Sequence, residues 1–146
     1  MANYKTILVA VDFSEVSAHA LGTAVDLAAQ LGARLKIVHA VRMHATSLPL
    51  EGGAVYIEEL HAKEVEDAEK NLARFIAENT DAGTAPESSV RSGEPATEIN
   101  RAAVDSGADL IVVGTHGRTG LSHLLMGSVA ENVLREAPVP VLCVRG

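Results

Sequence analysis

Tryptophan is missing from this chain, and the remaining aromatics are two Phe and two Tyr. With so few rings there is no stacking platform for single-stranded nucleic acid. Cysteine is nearly missing too: Cys143 stands alone in an apolar run, where a small packed side chain is the simplest reading. A lone cysteine forms no internal disulfide, which fits a reducing cytoplasm. Positive charge is scarce, with 12 Lys and Arg against 19 Asp and Glu and a net of −7 with His neutral. A surface of that sign repels nucleic acid and anionic lipid, so neither is an expected partner. No apolar run approaches membrane-spanning length, and Met-Ala-Asn-Tyr-Lys at the start has no basic region leading into an apolar core. Membrane insertion is therefore not expected, and the protein reads as cytoplasmic.

Several chemistries are excluded by missing motifs. The turn after the first apolar run, Val-Asp-Phe-Ser-Glu, lacks the glycine fingerprint of dinucleotide sites. No Gly-Lys-[Ser/Thr] occurs, so no P-loop lysine holds a transferring phosphate. A receiver domain would carry a phospho-accepting Asp at the end of its third strand, where this chain reads Ser-Val-Arg-Ser-Gly. The Ser-Gly-Gly-x-Asp-Ser loop of adenylating enzymes is absent as well. The six His, at 19, 39, 44, 61, 116 and 123, show no metal-ligand spacing. His19 and His61 read as packing or surface residues of helices.

What is present is aliphatic and periodic. At 146 residues the chain fits one domain, 1–146, which at this size buries roughly 68–70% of the surface its unfolded form exposes. Thr6 to Val11 is a nearly unbroken β run, as for a strand covered on both faces. Val16 to Leu31 repeats apolar residues at 16, 20, 24, 27, 28 and 31, one face of a helix stopped by Gly32. Leu35 to Val41 reads as a second strand, interrupted by Lys36 and His39. After a loop marked by Pro49, Gly52 and Gly53, a helix runs to about Glu78. Its Ile57, His61, Val65, Ala68, Leu72, Phe75 and Ile76 face one side, and a charged face including Glu66 and Asp67 is read as solvated. A weak strand over Glu87 to Arg91 precedes Gly93-Glu94-Pro95, and Pro95 suits the first turn of a helix ending at Gly107. A last helix over Ser128 to Glu136 leads to a strand over Val141 to Val144. Alternating strand and helix predict an α/β fold, a doubly wound parallel sheet with helices on both faces.

The most informative stretch is Asp109 to Val129. It opens as a β run, Leu110 to Val113, halts at Gly114, loops through Gly117 and Gly120, and re-enters helical sequence at Gly127-Ser128. A helix start leaves N–H groups unpaired and carries about half a positive charge, which attracts phosphate. Gly114, Gly117 and Gly127 offer positive φ and close backbone approach to a ligand. Ser128 adds a hydroxyl that caps the helix or bonds a phosphate oxygen. His116 and Arg118 are the groups of this loop able to add positive charge, Arg being the better phosphate partner. On glycine spacing alone, a plain turn and a phosphate site are equally compatible.

The spacing Gly114-x2-Gly117-x9-Gly127-Ser128 resembles in full the signature of the ATP-binding branch of the universal stress protein family. Ile7 to Ser14, Gly32 to His39, Ala108 to Gly114 and Pro138 to Arg145 resemble the same family, so the likeness spans essentially the whole chain. The resemblance implies a Rossmann-like sheet of five strands ordered 3-2-1-4-5, whose order reverses between the first strand and the fourth. It places Asp12 at a nucleotide, with Ser14 as the helix cap, and puts Ala40 and Val41 in an adenine wall. The loop residues Val113, Gly114, Thr115, His116, Gly117 and Arg118, with Gly127, Ser128 and Val129, would hold the phosphates of ATP. ADP and AMP share the same adenine wall, and Mg²⁺ would be bound through the phosphates rather than by protein ligands. The resemblance also implies a homodimer formed through Val141 to Val144, hiding an apolar sheet edge. The function so implied is a nucleotide-binding stress-response or regulatory protein with no catalytic residue assigned. Two alternatives stand beside it: a slow ATP hydrolase or self-phosphorylating enzyme using Asp12 or His116, and a nucleotide-switched module regulating another protein such as a transporter.

Overall fold

The computed structural model describes residues 3–43, 53–84, 86–116 and 126–146. Five strands and four helices alternate: β1 (Thr6–Ala10), α1 (Glu15–Leu31), β2 (Arg34–Val41), α2 (Gly53–Asn79), β3 (Glu87–Ser92), α3 (Pro95–Ser106), β4 (Leu110–Gly114), α4 (Ser128–Glu136) and β5 (Val141–Val144). All strand pairings are parallel and the order is β3-β2-β1-β4-β5, as the resemblance implied. The order reverses at the β1–β4 pair. Among the described residues no helix is long and apolar enough to cross a membrane.

Alternate residues of the central strands feed two separate cores, the period-two consequence of a sheet covered on both faces. Ile7 and Val9 of β1, Ile37 of β2 and Leu110 and Val112 of β4 pack against Leu21 and Ala24 of α1 and Leu72 and Phe75 of α2. Leu8, Val38, Ile111 and Val113 point the other way, onto Ile99, Ala102 and Ala103 of α3 and Ala130 and Val133 of α4. The expected stripe of α1 holds at Ala20, Ala24 and Ala28 but fails at Leu31, which is 41% exposed, while Leu21 and Ser17 are buried in its place. Leu31 lies on the last turn, beside the left-handed Gly32 cap, where the helix leaves the sheet.

The two polar residues that interrupt β2 have separate partners. Lys36 pairs with Glu87 of β3 at 3.2 Å, and His39 is buried with Nδ1 2.7 Å from the Val11 carbonyl oxygen. The edge strand β3 is tied to α3 by Arg91, which bonds Glu98 at 3.1 Å and Asp105 at 3.0 Å, and the Glu98 bond pushes the guanidinium pKa up. The turn between β3 and α3 depends on Gly93: its φ is 146°, and a Cβ there would lie 2.8 Å from Glu98 Cγ. At the other edge, Leu142 of β5 is 37% exposed. Its neighbour Cys143 packs partly against the second core, and desolvation pushes its thiol pKa up.

Ile111 is wholly enclosed between β1, β5 and the second core. Replacing it with Ala removes buried methylenes where a rigid sheet cannot collapse. Ile111→Ala is expected to cost about 2–5 kcal/mol, read as a lower urea midpoint with unchanged slope.

Candidate functional site

At the C-terminal ends of β1, β2 and β4 lies a cavity of about 570 Å³, in the crevice where the strand order reverses. Ten of the twelve residues singled out in the sequence line it: Asp12 after β1, Ala40 and Val41 of β2, Val113 and Gly114 of β4, Thr115 and His116 beyond it, and Gly127, Ser128 and Val129 at the start of α4. Gly117 and Arg118 lie outside the described residues. The remaining walls come from α2, through Glu64, Asp67, Ala68 and Asn71, and from Pro95 and Ile99 of α3.

The first wall is a set of turns. Asp12 Oδ1 accepts from the Ser14 amide at 3.0 Å, and the Asp12 amide donates to Ser17 Oγ at 3.3 Å. Ser14 is the N-cap of α1, its Oγ accepting from the Ser17 amide at 3.1 Å, as expected for that hydroxyl. Between them Phe13 takes a φ of 68°, uncommon for a bulky residue. That conformation turns its ring to 4.3 Å from His39 and 5.6 Å from Phe75, measured between centroids. The Phe13 and His39 rings line the cavity, and Phe75 lies in the core behind them.

Neither Gly114 nor Gly127 has the positive φ expected of it. A Cβ on Gly114 would meet Val16 Cγ1 at 2.7 Å. Its smallness serves the approach of α1 to β4. Gly127 also has an ordinary backbone, φ −65° and ψ 155°, and it is the N-cap of α4, so Ser128 is the first helical residue and not the cap. Gly127 offers no side-chain acceptor, and α4 therefore begins without a side-chain cap bond. Its first turn presents backbone donors at the cavity, the arrangement that binds anions at helix starts.

The segments around the loop are anchored by backbone bonds. The Thr115 amide donates to the Val144 carbonyl at 2.9 Å, and the Gly127 amide donates to the Thr115 carbonyl. Thr115 Oγ1 lies 2.9 Å from His116 Nδ1. Charge in the lining is mostly negative, from Asp12, Glu64 and Asp67. Arg42 also lines the cavity, and its guanidinium pairs with Glu94 at 3.0 Å. Among the described residues no cluster of three or more His, Cys, Asp or Glu could hold a metal ion.

The universal stress protein family model matches residues 3–145. The chain belongs to that family. Universal stress protein YxiE of Bacillus subtilis is 37% identical over 147 residues, covering 97% of this chain and 99% of its own. Universal stress protein MJ0531 of Methanocaldococcus jannaschii is 37% identical over 97% of this chain and 82% of its own. Among solved structures, the protein MJ0577 superposes with a TM-score of 0.83 at 30% identity over 99% of this chain and 98% of its own. A universal stress protein in complex with cAMP gives 0.62 at 28% identity over 99% and 98%.

The α2 wall was not legible beforehand: Asp67 was read as a solvated residue, and Glu64 and Asn71 carried no reading. Their spacing, 64, 67, 68 and 71, is a helical stripe, yet its polar chemistry hides it from a search for apolar faces. Phe13 and His39 were likewise missed as a stacked pair.

Ser14 should matter to stability and little to ligand. Ser14→Ala removes the α1 cap and is expected to lower stability by about 1 kcal/mol in urea denaturation, with the affinity of the cavity for its ligand kept.

Proposed function

We propose that this universal stress protein is a cytoplasmic regulatory protein of the stress response that binds ATP in the cavity between β1 and β4. The observation that carries the reading is the uncapped start of α4 at Gly127, facing the cavity from the far end of the Gly-x2-Gly-x9-Gly-Ser motif. In this reading the adenine rests against Ala40 and Val41, and Asp12 accepts from the ribose. The polyphosphate lies on the amides of Gly127, Ser128 and Val129, aided by Val113 to Arg118. A relative at 28% identity with cAMP bound supports an adenine nucleotide as the ligand class. The acidic lining opposes a bare polyanion, so ATP enters with Mg²⁺ held by its phosphates and by water.

Amides suit this task because they add donors without a titrating group, and a fixed helix start needs no reorganisation when the ligand arrives. Calorimetric titration with Mg-ATP tests the site. Gly127→Val is expected to weaken binding by at least tenfold with the far-UV circular dichroism unchanged, since φ −65° suits any residue. Asp12→Ala is expected to weaken ATP binding too. Unchanged affinity in folded Gly127→Val would overturn the phosphate assignment.

The same proposal includes a homodimer paired through β5. Its support is the open edge of the sheet at Val141–Val144, with Leu142 exposed, a pairing hazard that a second copy would cover. Leu142→Asp places a charge on the exposed side chain of that edge, leaves the β4–β5 ladder intact, and is expected to shift the mass in light scattering from dimer to monomer at micromolar protein.

A further inference from the structure

Beside the β1–β4 crevice, at the edge strand, three side chains form a carboxylate, imidazole and hydroxyl series, and Glu64 among them also lines the crevice. His61 of α2 has Nε2 3.0 Å from Ser92 Oγ, and its Nδ1 lies 3.8 Å from Glu64 Oε2. A carboxylate on the Nδ1 side favours the tautomer with the proton on Nδ1. Nε2 is then the acceptor, and the Ser92 hydroxyl donates to it. The 3.8 Å separation is beyond a hydrogen bond, so Glu64 acts through its charge, favouring the imidazolium that forms when His61 takes a proton.

The backbone setting strengthens the reading. Ser92 is the last residue of β3, followed by Gly93 at φ 146° and then by α3 from Pro95. A serine on a strand-to-helix turn with an adjoining glycine is how acyl-transfer nucleophiles are presented at sheet ends. The turn is held rigid: the Gly93 amide donates to the Val41 carbonyl at 2.9 Å, and Glu98 fills the space beside Gly93. α3 begins at Pro95 with no side-chain cap, because Glu94 at its N-cap is drawn to Arg42. The start of α3 lies beside the turn together with the Glu98 carboxylate, which stands against Gly93, so no oxyanion donor is assigned there. His61 is 24% exposed by side chain, and Ser92 is half-buried, so the pair is reachable from solvent.

We propose that Ser92 is a nucleophile activated by His61 and that the protein carries a second, acyl-transfer activity toward small activated esters. Ser92 Oγ attacks the ester carbonyl carbon as its proton passes to His61 Nε2. The tetrahedral intermediate then expels the alkoxide, which takes that proton, leaving acyl-Ser92. Water, deprotonated by His61, attacks the acyl group and releases the carboxylic acid, and the proton returns to Ser92 Oγ. Ser92 is the catalytic nucleophile, His61 the base, and Glu64 a positioning residue acting through His61. Of the three, Glu64 lines the larger cavity, and the reacting pair Ser92 and His61 does not.

The test uses the full chain and a fluorophosphonate probe, with which Ser92 Oγ forms a bond to phosphorus as fluoride leaves and the proton goes to His61. Peptide mass spectrometry is expected to place one adduct per chain on Ser92. His61→Gln should slow labelling by about 10²-fold or more, the usual share of a general base, and added imidazole should restore part of the rate in His61→Ala. Ser92→Ala should give no adduct. Ser92→Cys supplies a second readout: iodoacetamide should alkylate position 92 faster than Cys143, and adding His61→Gln should erase the difference. No adduct on Ser92 in the folded protein, or a rate indifferent to His61→Gln, would show a hydroxyl that only ties β3 to α2 and would overturn the proposal.

Discussion

The parallel pairing of β1 with β4 is the constraint from which the site follows. Two strands adjacent in the sheet but far apart in the chain must send their following segments in opposite directions, one to α1 on the first face and one to α4 on the second. The segments part, and a crevice opens above the strand ends. Asp12 and the segment Gly114 to His116 line the same crevice because of that geometry, although about a hundred residues separate them in the chain. The pairing itself rests on residues with no role in binding: Ile7, Val9, Leu110 and Val112 on one face, and Leu8 and Ile111 on the other.

Electrostatics then decides what kind of grip the crevice can offer. A chain of net charge −7, with three carboxylates around the cavity, is a poor attractor for anions at long range. An anion is held only where donors are fixed and close. The start of α4 provides this through backbone groups, and Gly127 as cap leaves those donors without a competing side-chain oxygen. A Ser or Asp in its place would have stabilised the helix and occupied the same N–H groups. In the proposed reading, stability is exchanged for an open anion site at that one position.

The sequence made some of this readable and hid the rest for identifiable reasons. Strand and helix order followed from short-range signals, and the boundaries of α4 and β5 were recovered because Gly127 and the proline pair Pro138 and Pro140 punctuate the chain there. The strand order came from family likeness, since periodicity says nothing of which strands are neighbours. Gly114 was legible as a special position but not in its role: only the fold reveals that Val16 of α1 occupies the space a Cβ would need. Phe13 offers no sequence sign of its φ of 68°, which is sustained by contacts with His39 and Phe75, 26 and 62 residues on (39 − 13 and 75 − 13). His61 read as a packing residue because Ser92, its partner, lies across an element boundary.

The walls of the cavity differ in what can change without loss of the fold. The α4 wall is the start of a helix, Gly127 to Ala130, whose first-turn amides carry the proposed grip, so a substitution at Gly127 acts mainly by filling space. The α2 wall is side chain, set on a helix of 27 residues, about 40 Å, that outruns the eight-residue strand it follows, about 26 Å. Leu72 and Phe75 pack its lower part on the core, while Asn71 directly precedes Leu72 and Asp67 and Glu64 stand about one and two turns nearer the N-terminus, all three at the cavity. Substitution at those three positions leaves the core contacts intact. It alters the charge and the hydrogen-bonding pattern presented to whatever lies against the strand ends. In the proposed reading, a site divided in this way separates the anchoring of an anion at the start of α4 from discrimination among ligands that carry it, which α2 can adjust one side chain at a time.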